Sequence, residues 1–597
     1  MDATPPSIWK RPWRGPGKLL AWFALLVAAC FIILCGIGLL TGTDVWGPQW
    51  MVVALLSSLV LVGLGTAGLW FIRWLCCWRN FRRFLFVGAC LITLVALAYA
   101  EENWRGKHAW QTFRRESEAK GEKFDLAALA PPPVPDEKNF ALTPLLKPVL
   151  EVTYEQGRVV WGDTNGLARL EKISAELSPH RDTTDRLSHG RDTNDHLVLG
   201  SLEKGTFANI PACAEFYRGN TNYPQAAATA TPAEVILVAL GNLDPELKEL
   251  REAAASRADC RFPIPYTYEP SWGILLPHLA RMKALTLLPQ VRATAELEAG
   301  RPADAFEDLK LGLRFSDSIR AEPILIDHLV RIATLAIDLQ TVREGLLRHA
   351  WTEGQLSELE KYLSSVDVLS EYQLAMRGER ACSTQGLDYL RRQGFRSNPF
   401  DYLANGEGPS YFGPAFNPMP SGWFYQNMLT IARMHQDFTL PTVDERAHRV
   451  HPEISENGAR ALQELRTGPY TIFAKLLMPA LEKAVRKSGR MQTYVDATRV
   501  ACAVERYRLA NGKLPDTLAA LSPTFIDAIP NDVIDGKPLR YRPNPEGTYL
   551  LYSIGWNQTD DGGQLALVKP NHMDEEGKQG GSVDITKGDW VWQMAAR

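Results

Sequence analysis

The sequence predicts a multidomain chain: three N-terminal transmembrane helices, a central all-α domain of helical hairpins, and a C-terminal α+β module. Three observations lead there. Three apolar runs fill most of the first hundred residues, apolar positions recur at three- and four-residue spacing from about residue 274, and a long helical pattern near residue 511 gives way to short tyrosine-bearing strands. A chain of 597 residues exceeds what one core ordinarily organises, so several folded units are expected. With 65 basic against 68 acidic side chains the net charge is -3, which leaves no electrostatic footprint for nucleic acid.

The apolar runs cover residues 19–41, 51–72 and 84–100. A bilayer core of ~30 Å needs about 20 apolar residues, with roughly 17 as the lower bound. The first two runs pass comfortably and the third narrowly. A signal peptide has a shorter apolar stretch and a small-residue cleavage site, and three successive runs argue against one. Lys10, Arg11, Arg14 and Lys18 precede the first run, and Arg73, Arg79, Arg82 and Arg83 separate the second from the third, whereas the first connection carries only Asp44. The positive-inside rule then places the N-terminus and the Arg-rich turn in the cytoplasm and everything after Glu101 outside. A third run buried as a core helix would instead leave the large portion cytoplasmic. Trp46, Trp50, Trp74, Trp78 and Trp104 fall at the expected interfaces. Residues 1–104 are thus read as an anchor in the lipid bilayer.

"GLGTAG", residues 63–68, matches the dinucleotide glycine pattern, but it sits mid-run with no preceding strand, so close helix packing in lipid is expected. Cys30, Cys35, Cys76, Cys77 and Cys90 belong to the anchor. Cys213, Cys260, Cys382 and Cys502 lie in the exported portion, where two bridges are open to them in any pairing.

Residues 105–149 read as a polar stem and a linker, which Pro131, Pro132, Pro133 and Pro135 hold extended as a spacer off the bilayer. A mixed region follows over 150–270, with a hairpin in "LEVTYEQGRVVWG" and two helices divided at Gly241-Asn242. Within it His180, His189 and His196 alternate with Asp182, Asp185, Asp192 and Asp195; divalent metal is one reading, but the spacing matches no zinc motif and a solvated loop is expected. Residues 271–490 read as the helical domain. One helix ends on Gly300, the next starts at Pro302 with Ala305, Leu309 and Leu313 on one face, and Thr352 and Asp367 are N-caps. "ELEAGRPADAFEDLKLGL" resembles a tetratricopeptide helical hairpin, without a second copy at the 34-residue period. The Gly/Pro/aromatic segment 395–445 is expected as a surface loop or lid.

The last unit, 491–597, begins inside a helix that presents Tyr494, Ala497, Ala501, Val504 and Tyr507 on one face and stops at Asn511-Gly512. A short helix in "PDTLAALSP" and strands over 539–542 and 548–553 follow. "ERYRLANGKLPDTLAALSP", "IPNDVIDGKPLRYR", "GTYLLYSIGWN" and "GGSVDITKGDW" together resemble the globular domain of the type II secretion major pseudopilin over about the last hundred residues. The leader and single apolar helix of that family are replaced here, so the resemblance implies an embedded copy of the fold rather than a fibre subunit. The whole chain also resembles membrane-anchored proteins of planctomycete and verrucomicrobial bacteria, which implies a bacterial cytoplasmic (inner) membrane. The family's closing loop binds calcium through oxygens, which implies Asn557, where the family has Asp, and Asp584 as ligands, with Asp560 and Asp561 beside them.

No G-x-S-x-G, H-E-x-x-H or phosphate-loop pattern is present in the sequence. Arg377, Glu379 and Arg380 read as an internal ion pair, and His278, His328, His349, His435 and His451 are given no role. The function expected is a non-catalytic, membrane-anchored scaffold or protein-binding protein with partners outside the cytoplasm, associated through its tail with a secretion or pilus-like apparatus. The alternative is an anchored hydrolase built around 395–445 and the His/Asp segment. A pocket converging on titratable groups favours the enzyme, and a broad groove without them favours the scaffold.

Overall fold

The computed structural model describes residues 16–40, 48–155, 158–177, 200–393, 419–569, 573 and 581–593. The chain divides into two compact units, Met1–Glu101 and Glu102–Arg597. It is mostly helical, with small antiparallel sheets toward the C-terminus.

In the first unit α1 (Pro16–Leu40) packs on α2 (Pro48–Leu75), and α3 (Trp78–Glu118) begins. Two helices are long and apolar enough to cross a membrane, over Met51–Leu75 and Trp78–Glu118. Among the described residues the first run meets that test only over Ala21–Ile37, within the 25 residues of α1, so two of the three expected spans are found. Gly63, Gly65 and Gly68 lie inside α2, so they form no phosphate-binding turn. The close packing expected at them is absent among the described residues, since a Cβ on any of the three meets nothing within 4 Å.

Residues 105–149 depart from the expected stem and spacer. Beyond Glu101, α3 buries Gly106, Trp110 and Ser117. The prolines do hold the next stretch extended, but Phe124, Leu126, Phe140 and Ala141 around them are buried. Apolar side chains on both sides of the proline run lay it onto the body instead of lifting it away.

The body continues with the hairpin β1 (Val152–Glu155) and β2 (Arg158–Trp161), in which Val152 pairs with Trp161. Then come α4 (Thr164–Leu177), α5 (Ile210–Arg218), α6 (Pro232–Leu240) and α7 (Asp244–Ser256). A capping box between Thr231 and Glu234 starts α6, and a 3-10 turn at Gly241–Leu243 divides α6 from α7. The helical series is α8 (His278–Glu298), α9 (Pro302–Asp317), α10 (Leu325–Leu347), α11 (Glu353–Leu363) and α12 (Val368–Gln393). Gly300, at φ +73, makes the tight turn between α8 and α9. Thr352 and Gln355 form a capping box on α11, and the Asp367 carboxylate accepts the Leu369 and Ser370 N–H groups at 3.1 and 3.0 Å.

The loop expected over 395–445 is corrected in its second half, while 394–418 lie outside the described residues. α13 (Ser421–Met434) continues into a π-helical turn, His435–Thr439. The reason is local: Phe424, Met428, Ile431 and Ala432 are buried at spacings of four, three and one, which is one helical face. A two-residue ladder, β3 (Val443–Asp444) with β4 (Arg449–Val450), leads to α14 (Pro452–Glu464), α15 (Ile472–Leu477) and the 31-residue α16 (Leu481–Asn511). Gly512, at φ +72, closes α16 as expected.

After a 3-10 turn at Leu518–Leu521 come β5 (Arg540–Pro543), β6 (Tyr549–Ser553), β7 (Leu565–Leu567), β8 (Val583–Gly588) and β9 (Trp590–Gln593). The sheet order is β5-β6-β9, all antiparallel, and β7 pairs separately with β8. This tail is not packed by itself. One core cluster joins Leu335 and Leu339 of α10, Leu356 of α11, Val495 and Val500 of α16, Leu551 of β6 and Trp592 of β9. The boundaries expected near 150, 271 and 491 therefore have no counterpart as separate units, and α16 is the shared element because its buried residues fall on every side of the helix.

Candidate functional site

Between α7 and α8 the chain runs through "FPIPYTYEPSWGILLPH", where Pro263, Pro265, Pro270 and Pro277 fix φ and keep the backbone out of regular structure. This stretch walls a cavity of about 300 Å³, lined by Phe262, Ile264, Tyr268, Leu275, Pro277 and His278 with their neighbours. Tyr268 is 44% exposed at the mouth, and Phe262 and His278 are buried.

His278 opens α8, and its ring stacks on Phe262 with centroids 4.0 Å apart and planes 18° from parallel. Its Nε2 lies 3.4 Å from Oδ1 of Asp327, which sits in the first turn of α10. That distance suits an ionic contact and exceeds that of a good hydrogen bond, and both Asp327 oxygens remain without a hydrogen-bond partner although the residue is fully buried. Burial raises the Asp327 pKa, opposed by His278. Behind them the Tyr266 hydroxyl donates to the Glu322 carboxylate. Burial pushes Glu322 up to about 7, the Tyr266 hydrogen bond opposes this, and the charge of Asp327 adds to it. The arrangement is an apolar wall with one imidazole on it, backed by two carboxyls, one of which holds its proton close to neutral pH. None of these residues was given a role by the sequence; the density of prolines over 263–277 was the available signal.

Other polar groups serve the packing. Arg331 is buried 2.9 Å from the Asp317 carboxylate and 3.5 Å from that of Glu371, and the Tyr362 hydroxyl donates to Asp317 at 2.9 Å, joining α9, α10, α11 and α12. Arg380 donates to Glu122 at 2.5 Å, and Arg377 approaches the same carboxylate at 3.8 Å, so two of the three residues of the Arg377–Glu379–Arg380 group are ion-paired to the segment after α3. His328 bonds the Ser488 hydroxyl at 2.8 Å, and burial lowers His328 and His435 to about 3. His349 approaches Glu505 at 2.9 Å, and His451 approaches Glu453 at 3.1 Å. Cys213, Cys260, Cys382 and Cys502 are free thiols, and burial raises each of their pKa values.

The four residues implied for calcium are only partly brought together. Asn557 Nδ2 donates to Asp561 at 2.9 Å, on the wall of an open cleft of about 610 Å³ that also holds Arg460, Lys483, Arg486 and Lys587. Asp560 accepts from the Tyr552 hydroxyl at 3.0 Å, and Asp584 accepts from Thr586 at 2.7 Å and from Lys587 at 3.0 Å. Among the described residues no group of three or more His, Cys, Asp or Glu is placed to hold a metal ion. The donor set does not fit calcium: an amide N–H and a lysine meet the carboxylates that the ion needs. The His180/His189/His196 segment lies outside the described residues. Compared with protein-family models, curated proteins and solved structures, the chain matches none.

Proposed function

We propose that the chain is a membrane-anchored binding protein whose body, from Glu102 onward, stands outside the cytoplasm of a bacterial cell. The observation that carries the anchoring is the first half of α3. Its apolar side chains over 84–100 face outward, with Phe86 70% and Ile92 72% exposed, whereas later turns of the same helix are buried at Trp110 and Ser117. Apolar surface of that extent is disfavoured in water at roughly 25 cal/mol per Å² and is matched by lipid. The side follows from Arg73, Arg79, Arg82 and Arg83, which flank the turn between α2 and α3. Binding is supported by the cavity at Tyr268 and His278, concave, mostly apolar and carrying a phenol and an imidazole.

Thiol labelling of spheroplasts tests the topology. Cys76 and Cys77, in the turn between α2 and α3, are expected to resist an impermeant maleimide, while Glu252→Cys on the exposed side of α7 is labelled. The reverse pattern overturns the proposal. The tail's pseudopilin resemblance extends it to protein partners in a secretion or pilus-like apparatus. Cross-linking in membranes is expected to recover subunits of such a machine, and their consistent absence removes that part. A second reading, an anchored hydrolase, is favoured by the Glu322 carboxyl at about 7 near Asp327. It requires turnover of a chromogenic ester or glycoside that disappears in Glu322→Gln.

A further inference from the structure

The cavity under residues 262–278 specifies its ligand more closely than its volume does. About 300 Å³ is the lower end of the roughly 300–1,000 Å³ range of small-molecule sites. Its walls are the Phe262 and Tyr268 rings, prolines and aliphatic side chains, and the one imidazole among them is that of His278. The stacked Phe262 ring fixes the plane of the imidazole, and Asp327 fixes its rotation by facing Nε2 at 3.4 Å. An imidazole that turns one nitrogen toward a carboxylate carries its proton on that side and offers the other nitrogen as an acceptor. Asp327 is fully buried, and His278 is the side chain that faces its carboxyl and favours its charged form. A ligand that hydrogen-bonds the imidazole strengthens the pair and stabilises Asp327 through it.

We propose that this cavity binds a flat, apolar, aromatic small molecule carrying a single N–H or O–H donor, with Nδ1 of His278 as the acceptor, Phe262 and the prolines as the apolar walls and Asp327 as a positioning residue. The proposal rests on reading the body as a binding domain and is independent of the side of the bilayer on which it stands.

Indole and benzofuran are the probes, since they share a bicyclic shape and only indole has an N–H. The full chain in lipid nanodiscs is dialysed to equilibrium against radiolabelled probe, with empty nanodiscs as the blank. Saturable uptake of one indole per chain is expected, three- to tenfold tighter than benzofuran, the difference one net hydrogen bond makes. Leu275→Trp, which fills the cavity from a half-buried wall position, is expected to abolish uptake of both probes. His278→Phe keeps a ring against Phe262 and is expected to retain benzofuran while losing the preference for indole. Leu275→Trp keeps the test in hand if His278→Phe, which leaves Asp327 alone, fails to fold. Uptake no greater than the blank, or unchanged by Leu275→Trp, overturns the site. Equal affinity for the two probes overturns the donor requirement. Neither result touches the thiol-labelling pattern, so failure here is distinguishable from failure of the anchored topology.

Discussion

Single residues in this body are defined by what burial does to their charge. Glu322 keeps its proton up to about 7 when folded and loses it near its ordinary 4.5 when unfolded. Between those values the folded state binds the extra proton, so this group's contribution to stability falls as pH rises from 4.5 to 7 and then levels. Glu322→Gln removes the titration, and its stability relative to the parent is expected to improve from pH 5 to pH 8 by up to about 3 kcal/mol, the cost of a shift of that size. Thermal unfolding of both proteins at the two pH values checks this; a constant difference defeats it. At the tail, excess chelator is expected to leave the melting temperature unchanged, because Lys587 and Thr586 already meet the Asp584 charge and Asn557 already meets Asp561. Stabilisation by millimolar calcium would restore what the resemblance implies. Little at this scale was legible in the sequence. His278, Asp327, Glu322 and Tyr266 come from segments some fifty residues apart, and only packing of α8 against α10 brings them together.

Elements were read more faithfully, because their starts and stops are local chemistry. Gly300, Gly512, Thr352 and Asp367 mark helix ends in the sequence and in the structure alike. α13 was missed because the Gly/Pro-rich residues before it dominate the composition of the window, while its own face at Phe424, Met428 and Ile431 shows only within fourteen residues. Two glycines separate local from tertiary demands. Gly300 has a positive φ and open space around it, so Gly300→Ala is expected to cost about 1–2 kcal/mol from backbone strain alone. Gly378 lies within α12, where a Cβ would collide with the carbonyl oxygen of Pro323, so Gly378→Ala is expected to cost about 3 kcal/mol or to shift that loop. Denaturant titration ranks the two, and the opposite order contradicts the assignment. The β3–β4 turn adds a pH-dependent tie to α16. His448 Nε2 is 3.7 Å from Asp496 on α16, its Nδ1 is 3.9 Å from Asp367, and the Asp496 contact raises its pKa, with burial and Arg499 opposing. A raised imidazole stabilises below its unfolded value, near 6.5, and loses that contribution as pH rises through the folded value. With a side chain 38% exposed the tie is worth at most about 1 kcal/mol, so His448→Gln should destabilise at pH 5.5 and be neutral at pH 8.5 in the same unfolding assay.

At the scale of the molecule, composition suggested a string of domains, and core packing produced one unit from Glu102 onward. The shift at residue 271 is real as a change of local pattern, but local pattern carries no information about which distant faces meet. α16 decides the matter. Tyr494, Val495, Val500, Ala501 and Val504 pack in one cluster with Leu335 and Leu339 on one side and with Tyr549, Leu551 and Trp592 on another, and the Trp592 indole donates to the Thr498 hydroxyl at 3.1 Å. Removing residues 513–597 strips that helix of Leu539, Tyr549, Leu551 and Trp592 together, and each large apolar side chain left without its burial costs about 1.5–3 kcal/mol. That sum is comparable to the whole stability of an ordinary domain, about 5–15 kcal/mol. Calorimetry of the full chain in nanodiscs is therefore expected to show one cooperative transition for the body, and the chain ending at Gly512 is expected to lose it and become protease-sensitive throughout. If the tail were an independent module grafted onto a finished helical domain, the truncated chain would keep a transition at the parent's temperature and only a minor peak would vanish. That outcome would put a boundary after Gly512, with α16 folding on the helical domain alone and the three-stranded sheet contributing nothing to its core.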